Sequence, residues 1–270
     1  MPTSSGPLPP GHLPPGLPIA AVADLHGHLD LFERLLAEID RRLGRDYLLV
    51  TLGDYVDNGP QIPRLLDRLI DLKQERPDRF FPIMGNHDLA CLRAMGWRKG
   101  PPDEAWYKNW AGHFWNPGGG TPAQYAADSG ASLSEMMDTA HRAHREFLQE
   151  LPWFFEYGEY FFVHCGLESR EVAPQRAELA RREPLPNLWT HPQLRDKKLS
   201  VVSWEGWGRV VVSSHTRGSV LRRMVDPLPG DPHFVTPYRI TLSAEVDHTG
   251  VLHAVLLPDR IFLHERTPRH

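Results

Sequence analysis

The sequence predicts an α/β fold, and three observations carry that expectation. Short aliphatic and β-branched runs at 19–23, 47–52 and 80–84 read as buried strands. The stretches that follow the first two place Leu31, Leu35, Leu36, Ile39 and Leu43, then Ile62, Leu65, Leu66, Leu69, Ile70 and Leu72, at helical spacing. Each strand also runs straight into side chains that can hold a cation or move a proton, at the carboxyl edge where open α/β sheets place their sites.

With 270 residues and 41% hydrophobic content the chain can bury a full core, and one large domain over 19–270 is expected. A net charge of −4 argues against general binding to nucleic acid or to an anionic membrane. Cys91 and Cys165 are far apart, so neither a disulfide framework nor a cysteine-based zinc cluster is expected, which fits a reducing cytoplasm. No apolar run approaches the roughly 20 residues that span a bilayer, and the N-terminus has neither a basic nor an apolar leader region. A soluble cytoplasmic protein is therefore expected. Residues 1–18, dense in Pro and Gly, are expected to form a disordered or loosely draped arm.

The first strand delivers Asp24-Leu25-His26-Gly27-His28. Asp24 and His26 alternate along an extended segment and would point the same way, a sensible pair of ligands for one cation. The plainer reading makes Asp24 a helix cap and His28 an exposed neighbour. The second strand ends in Gly53-Asp54-Tyr55-Val56-Asp57-Asn58-Gly59, where the glycines permit a tight loop and a close backbone approach to a ligand. The third delivers Gly85-Asn86-His87-Asp88; a cap alone would not require the imidazole. Two later apolar runs end the same way, in Phe162-Val163-His164-Cys165-Gly166-Leu167 and Val210-Val211-Val212-Ser213-Ser214-His215-Thr216.

These five blocks, in this order and with helix-length spacers, resemble the calcineurin-like metallophosphoesterase superfamily, closest to the phosphoprotein (Ser/Thr) phosphatase branch and its bacterial relatives. The resemblance implies a sandwich of two mixed β-sheets flanked by helices, with two metal ions bridged by Asp54. Asp24 and His26 would complete one site, and Asn86, His164 and His215 the other. His87 and Asp57 would form an acid/base pair, with a metal-bridging hydroxide as nucleophile. Mixed carboxylate, imidazole and amide ligands suit Mn²⁺, Fe or Zn²⁺. The implied reaction is phosphomonoester hydrolysis on a phosphoprotein or a small phosphorylated molecule. A dinucleoside-polyphosphate hydrolase and a catalytically idle binding protein are the alternatives.

Departures from the pattern matter too. Asn58 and Met84 stand where the branch carries phosphate-gripping arginines, Ser214 replaces a usual Gly, and Asp88 replaces a Glu. Arg217 and Arg170 are the expected replacements for binding substrate beside Asn58, with Arg195 and His191 behind them. The insertion at about 97–131 carries Trp97, Trp106, Tyr107, Trp110, Phe114 and Trp115, then Gly118-Gly119-Gly120-Thr121 and Tyr125. It reads as a cap over the centre, its rings packing a small core of their own or offering a wall to substrate. Beyond it, 134–151 reads as one helix with His141 and His144 solvated. The chain closes in strands at 239–246, 252–257 and 261–263, an antiparallel meander with a hairpin turn at 247–250 and with His248 and His253 on turn and sheet surface.

Overall fold

The computed structural model describes residues 13–97, 103, 105, 107, 120–126, 131–184 and 191–268. Strands β1 (Ile19–Val22), β2 (Leu48–Thr51) and β3 (Phe80–Pro82) pair in parallel, and β9 (Val251–Leu257) and β10 (Ile261–Arg266) extend that sheet antiparallel in the order β10-β9-β1-β2-β3. A second sheet runs β4-β5-β6-β8-β7, from β4 (Phe154–Tyr157), β5 (Tyr160–Val163), β6 (Val210–Ser213), β7 (Phe234–Thr236) and β8 (Arg239–Thr241). Both sheets are mixed, as expected. The two-residue period of the strands sorts their side chains. Ile19, Ala21, Leu48 and Val50 pack between the sheets against Phe162, Val212 and Ile240. Ala20, Val22 and Leu49 turn to the helix side, where α1 (Leu29–Leu43) and α2 (Ile62–Glu75) bury Phe32, Leu35, Ile39, Leu65 and Leu69.

Residues 13–18 lie draped over the inter-sheet core: Leu13 and Leu17 pack against it, and the Leu17 amide donates to the Tyr157 hydroxyl at 2.8 Å. Residues 1–12 of the expected arm lie outside the described residues, as do Trp106, Trp110, Phe114, Trp115, Gly118 and Gly119 of the insertion.

The expected helix over 134–151 is two helices, Leu133–Asp138 and Arg142–Glu150, broken at 139–141. His144 is buried rather than solvated, its Nδ1 2.7 Å from the Tyr125 hydroxyl and its Nε2 2.8 Å from Asp67 Oδ1. Both partners come from other helices, so local periodicity could not show them. The closing meander is also corrected. β8 joins the second sheet, parallel to β6, while β9 and β10 join the first. A fully buried Arg239 holds β8 there, its Nη2 donating to the Cys165 carbonyl and the Ser213 hydroxyl, both at 2.6 Å, and its Nε to Thr241 Oγ1 at 2.9 Å. The chain then crosses between sheets, and Val246–Thr249 is a helical turn capped by left-handed Gly250.

His253 is buried because β9 is flanked on both sides and covered by Glu245, which lies 3.3 Å from its Nε2. His233 is buried beside it, stacked on Phe262, and accepts the Ser243 amide at 3.0 Å. Burial and His253 push its imidazole down from 6.5 to about 3, Glu245 opposing and His264 adding. Between those values the folded state binds fewer protons than the unfolded chain, so this contribution is fully present above pH 6.5 and lost as pH falls toward 3. At pH 5 the loss is about 2 kcal/mol. In urea titrations His233→Gln, which keeps an acceptor for Ser243, is expected to flatten the acid limb; equal slopes for both proteins would contradict this.

Candidate metal centre

Every candidate ligand sits just past the carboxyl end of a parallel strand: Asp24 and His26 after β1, Asp54 after β2, Asn86 after β3, His164 after β5 and His215 after β6. Three loops are knotted around Asp54. Its carbonyl accepts the amides of Leu25 (3.2 Å) and His26 (2.7 Å), and its Oδ1 accepts the His87 amide at 2.8 Å. Asp88, fully buried, gathers the amides of Gly85 (2.9 Å), Asp54 (2.9 Å), Tyr55 (2.8 Å) and Val56 (3.3 Å). That gathering is what the last residue of the GNHD block does here. A side chain at Gly85 would put its Cβ 2.1 Å from both the amide and Oδ1 of Asp54, so the two loops can touch only through glycine.

The backbone is tight at the site itself. His26, Asp54, Asp57, Asn58 and His215 all have positive φ, between 40° and 71°, a region costly for residues with a Cβ and concentrated at functional sites. His26 therefore sits in a turn, and its alignment with Asp24 comes from that turn rather than from the extended segment expected. Asp24 does not cap α1: the N-cap position is His28, which makes no side-chain cap bond. Asp24 Oδ1 instead accepts the His215 amide at 3.1 Å. Ser214, out of pattern in the sequence, is buried, and its hydroxyl accepts the Asp24 amide at 3.4 Å.

The imidazoles are oriented from behind. His26 Nδ1 lies 2.9 Å from the Val56 carbonyl, His164 Nδ1 2.6 Å from that of Leu52, and His215 Nε2 2.9 Å from that of Arg195. A carbonyl only accepts, so each of these nitrogens carries a proton and the ring turns its opposite nitrogen inward. Those inward atoms converge. His26 Nε2 and His164 Nε2 lie 3.7 and 3.3 Å from Asp54 Oδ2; His164 Nε2 is 3.0 Å from Asn86 Oδ1 and 3.2 Å from His215 Nδ1. Two groups with metal-ligand spacing result, His26–Asp54–His87 and Asp54–His164–His215, and Asp54 is common to both. Ring nitrogens converging on a shared carboxylate fit a pair of cations, which would bind in place of the inward protons.

The charge on Asp54 dominates the electrostatics of the site. Burial opposes the charge on Asp54, but His164 and His87 hold its carboxyl far below the usual range. Burial would lower His164 and His87, yet Asp54 and its acidic neighbours push both up to about 9. Burial and His164 push His215 down to about 3. His87 Nδ1 is 2.8 Å from Asp57 Oδ2.

Residues 17–227 match the family described as calcineurin-like phosphoesterase. The chain belongs to that family. It is similar to a symmetrical bis(5'-nucleosyl)-tetraphosphatase of Acidovorax sp. (strain JS42), 47% identical over 73 residues, which are 27% of this chain and 24% of the relative. The chain thus spans about a quarter of the length of that curated relative. Among solved structures, a candidate diadenosine tetraphosphatase aligns with a TM-score of 0.55 at 17% identity, covering 93% of this chain and 95% of that one. A protein serine/threonine phosphatase from Saccharomyces cerevisiae aligns with a TM-score of 0.51 at 15% identity, covering 95% and 82%. At these identities the two structures share its fold.

In this calcineurin-like phosphoesterase the centre opens into a pocket of about 180 Å³ lined by Asp24, His26, Asp54, Asn58, His87 and His215 together with Lys197, Arg217, Val220, Ala244 and Asp247. Asn58 and Arg217 line this pocket, Arg217 Nη2 3.7 Å from Asp247 Oδ2. Arg170 does not: its guanidinium is held by Glu168 at 2.5 Å and Glu178 at 2.7 Å, carboxylates of its own surface segment, and it is not among the pocket's walls. Arg195 contributes its carbonyl to His215, and His191 is buried against Trp153. Met84 is fully buried in the core and cannot reach substrate. Lys197, exposed on the pocket wall, was missed; in a charged stretch between Asp196 and Lys198 nothing local singles it out. Among the described residues no helix is long and apolar enough to cross a membrane.

Proposed function

We propose that this chain is a dinuclear-metal-dependent phosphoesterase acting on phosphate monoesters, of a phosphoprotein or of a small phosphorylated molecule. The observation that carries the reading is the convergence of inward-facing imidazole nitrogens of His26, His164 and His215 on one carboxylate, Asp54, shared by two ligand groups. Asp24 and His26 would hold one ion and Asn86, His164 and His215 the other. Mn²⁺, Fe or Zn²⁺ suits these donors. When bound, such a pair supplies Lewis-acid charge to the phosphoryl group and acidifies water.

The chain's own residues supply the rest. His87, its Nδ1 engaged by Asp57, protonates the departing alkoxide through Nε2. Asp57 fixes the tautomer and stabilises the imidazolium. Arg217 and Lys197 line the same pocket as the candidate ligands and would grip phosphate oxygens with charge-assisted hydrogen bonds, in place of the cations absent at Asn58 and Met84. Asn58 would add a neutral donor.

A second reading, hydrolysis of a dinucleoside polyphosphate, is favoured by the similarity to the Acidovorax tetraphosphatase. The small size of the pocket, about 180 Å³, with Lys197 and Arg217 in its lining, supports a phosphoryl group as the part that is gripped. With Mn²⁺ present, phosphoserine peptide and aryl phosphate are expected to be turned over with a kcat/KM at least about tenfold above that for diadenosine tetraphosphate, a difference of some 1.4 kcal/mol. The reverse order would favour the second reading, and binding of phosphate without turnover of any substrate would overturn both.

A further inference from the structure

Asp57 is fully buried, and both of its oxygens are occupied. Oδ2 faces His87 Nδ1. Oδ1 accepts three donors from the insertion: the Thr121 hydroxyl at 2.5 Å, the Tyr107 hydroxyl at 2.7 Å and the Thr121 amide at 3.4 Å. The Asp57 amide returns a bond to Thr121 Oγ1 at 3.0 Å. Thr121 and Tyr107 are themselves fully buried, so their hydroxyls have been withdrawn from water to make these bonds. The helix bearing Thr121, Gly120–Ala126, is pinned at two further points: Gln124 donates to the Gly59 carbonyl at 2.7 Å and accepts the Ile62 amide at 2.8 Å, and Tyr125 meets His144.

We propose that Thr121 and Tyr107 are positioning residues for proton transfer by His87, acting through Asp57. A carboxylate bound only at Oδ2 could rotate about its terminal torsion and carry the imidazole with it, since that torsion is broad. Three donors converging on Oδ1 fix the plane of the carboxylate, and the plane fixes the direction from which Oδ2 holds His87. The insertion thus completes the acid/base pair from the far side of the metal ligands. This rests on the reading of His87 as general acid.

The test uses Thr121→Val and Tyr107→Phe, which remove one hydroxyl each and keep the shape, with Thr121→Ser as the variant that retains it. Manganese-loaded proteins are assayed on phenyl phosphate, p-nitrophenyl phosphate and 2,4-dinitrophenyl phosphate, whose leaving groups need a proton progressively less. Expected is a fall of about 10–100-fold in kcat on phenyl phosphate, under threefold on the dinitrophenyl ester, with KM and bound manganese unchanged and Thr121→Ser near the parent. An equal loss on all three esters, or none, would overturn the proposal. A readout free of turnover separates the two claims. In the parent protein the His87 Nδ1 proton is expected as a deshielded, slowly exchanging NMR resonance, absent in His87→Asn, that broadens into water exchange in Thr121→Val and Tyr107→Phe. If that resonance behaves so while no ester is hydrolysed, the phosphoesterase reading fails and the positioning stands; if it is unmoved, the positioning fails whatever the activity.

Discussion

Asp54→Asn is expected to lower manganese-supported hydrolysis of p-nitrophenyl phosphate by at least about a thousandfold, because Lewis-acid stabilisation of the transition state is worth several kcal/mol and each 1.36 kcal/mol is tenfold. The substitution is nearly isosteric. The amide oxygen of Asn can still accept the His87 amide, and the Asp88 staple grips only the backbone at residue 54. What it removes is the charge toward which His26 Nε2 and His164 Nε2 both point. Bound manganese, counted by elemental mass spectrometry, is expected to fall from two per chain to one or none, while the circular dichroism spectrum stays the same. Activity within tenfold of the parent, with two ions retained, would show that Asp54 is not the shared ligand.

His87→Asn should produce a different pattern. Loss of a general acid costs about 10²–10⁴-fold, and the cost should be concentrated in substrates with poor leaving groups. On a phosphoserine peptide kcat is expected to fall by that amount, and on 2,4-dinitrophenyl phosphate by less than about tenfold. Metal content decides between two roles, because His87 also lies within ligand spacing of His26 and Asp54. Two ions retained would place it in proton transfer; loss of one would make it a ligand.

The strand-end blocks were legible because each is local. A buried strand, a turn that tolerates left-handed backbone and a polar side chain at a fixed offset can be read without knowing what lies across the molecule. Asp24, His26, Asp54, Asn86, His164 and His215 all lie just past strand ends, in contact with one another. Residues that act across the fold were not legible. Lys197 reaches the pocket only because the segment after His191 packs back beneath His215, through the Arg195 carbonyl. Thr121 and Tyr107 lie 64 and 50 residues from the carboxylate they hold. His144 looked solvated on a helical wheel because Asp67 and Tyr125 are not on that wheel. The meander failed for a similar reason: strand period shows that 239–241 is a strand, not which sheet will take it, and a buried guanidinium made that choice.

The candidate ligands are divided between the two layers. The first sheet brings Asp24, His26, Asp54 and Asn86, the second brings His164 and His215, and contacts between them run from His164 to Asn86 at 3.0 Å and from the His215 amide to Asp24 at 3.1 Å. Neither layer alone carries a full set of donors. Occupied, the centre would act as a rivet through the sandwich, so that parting of the sheets and release of the ions become a single event.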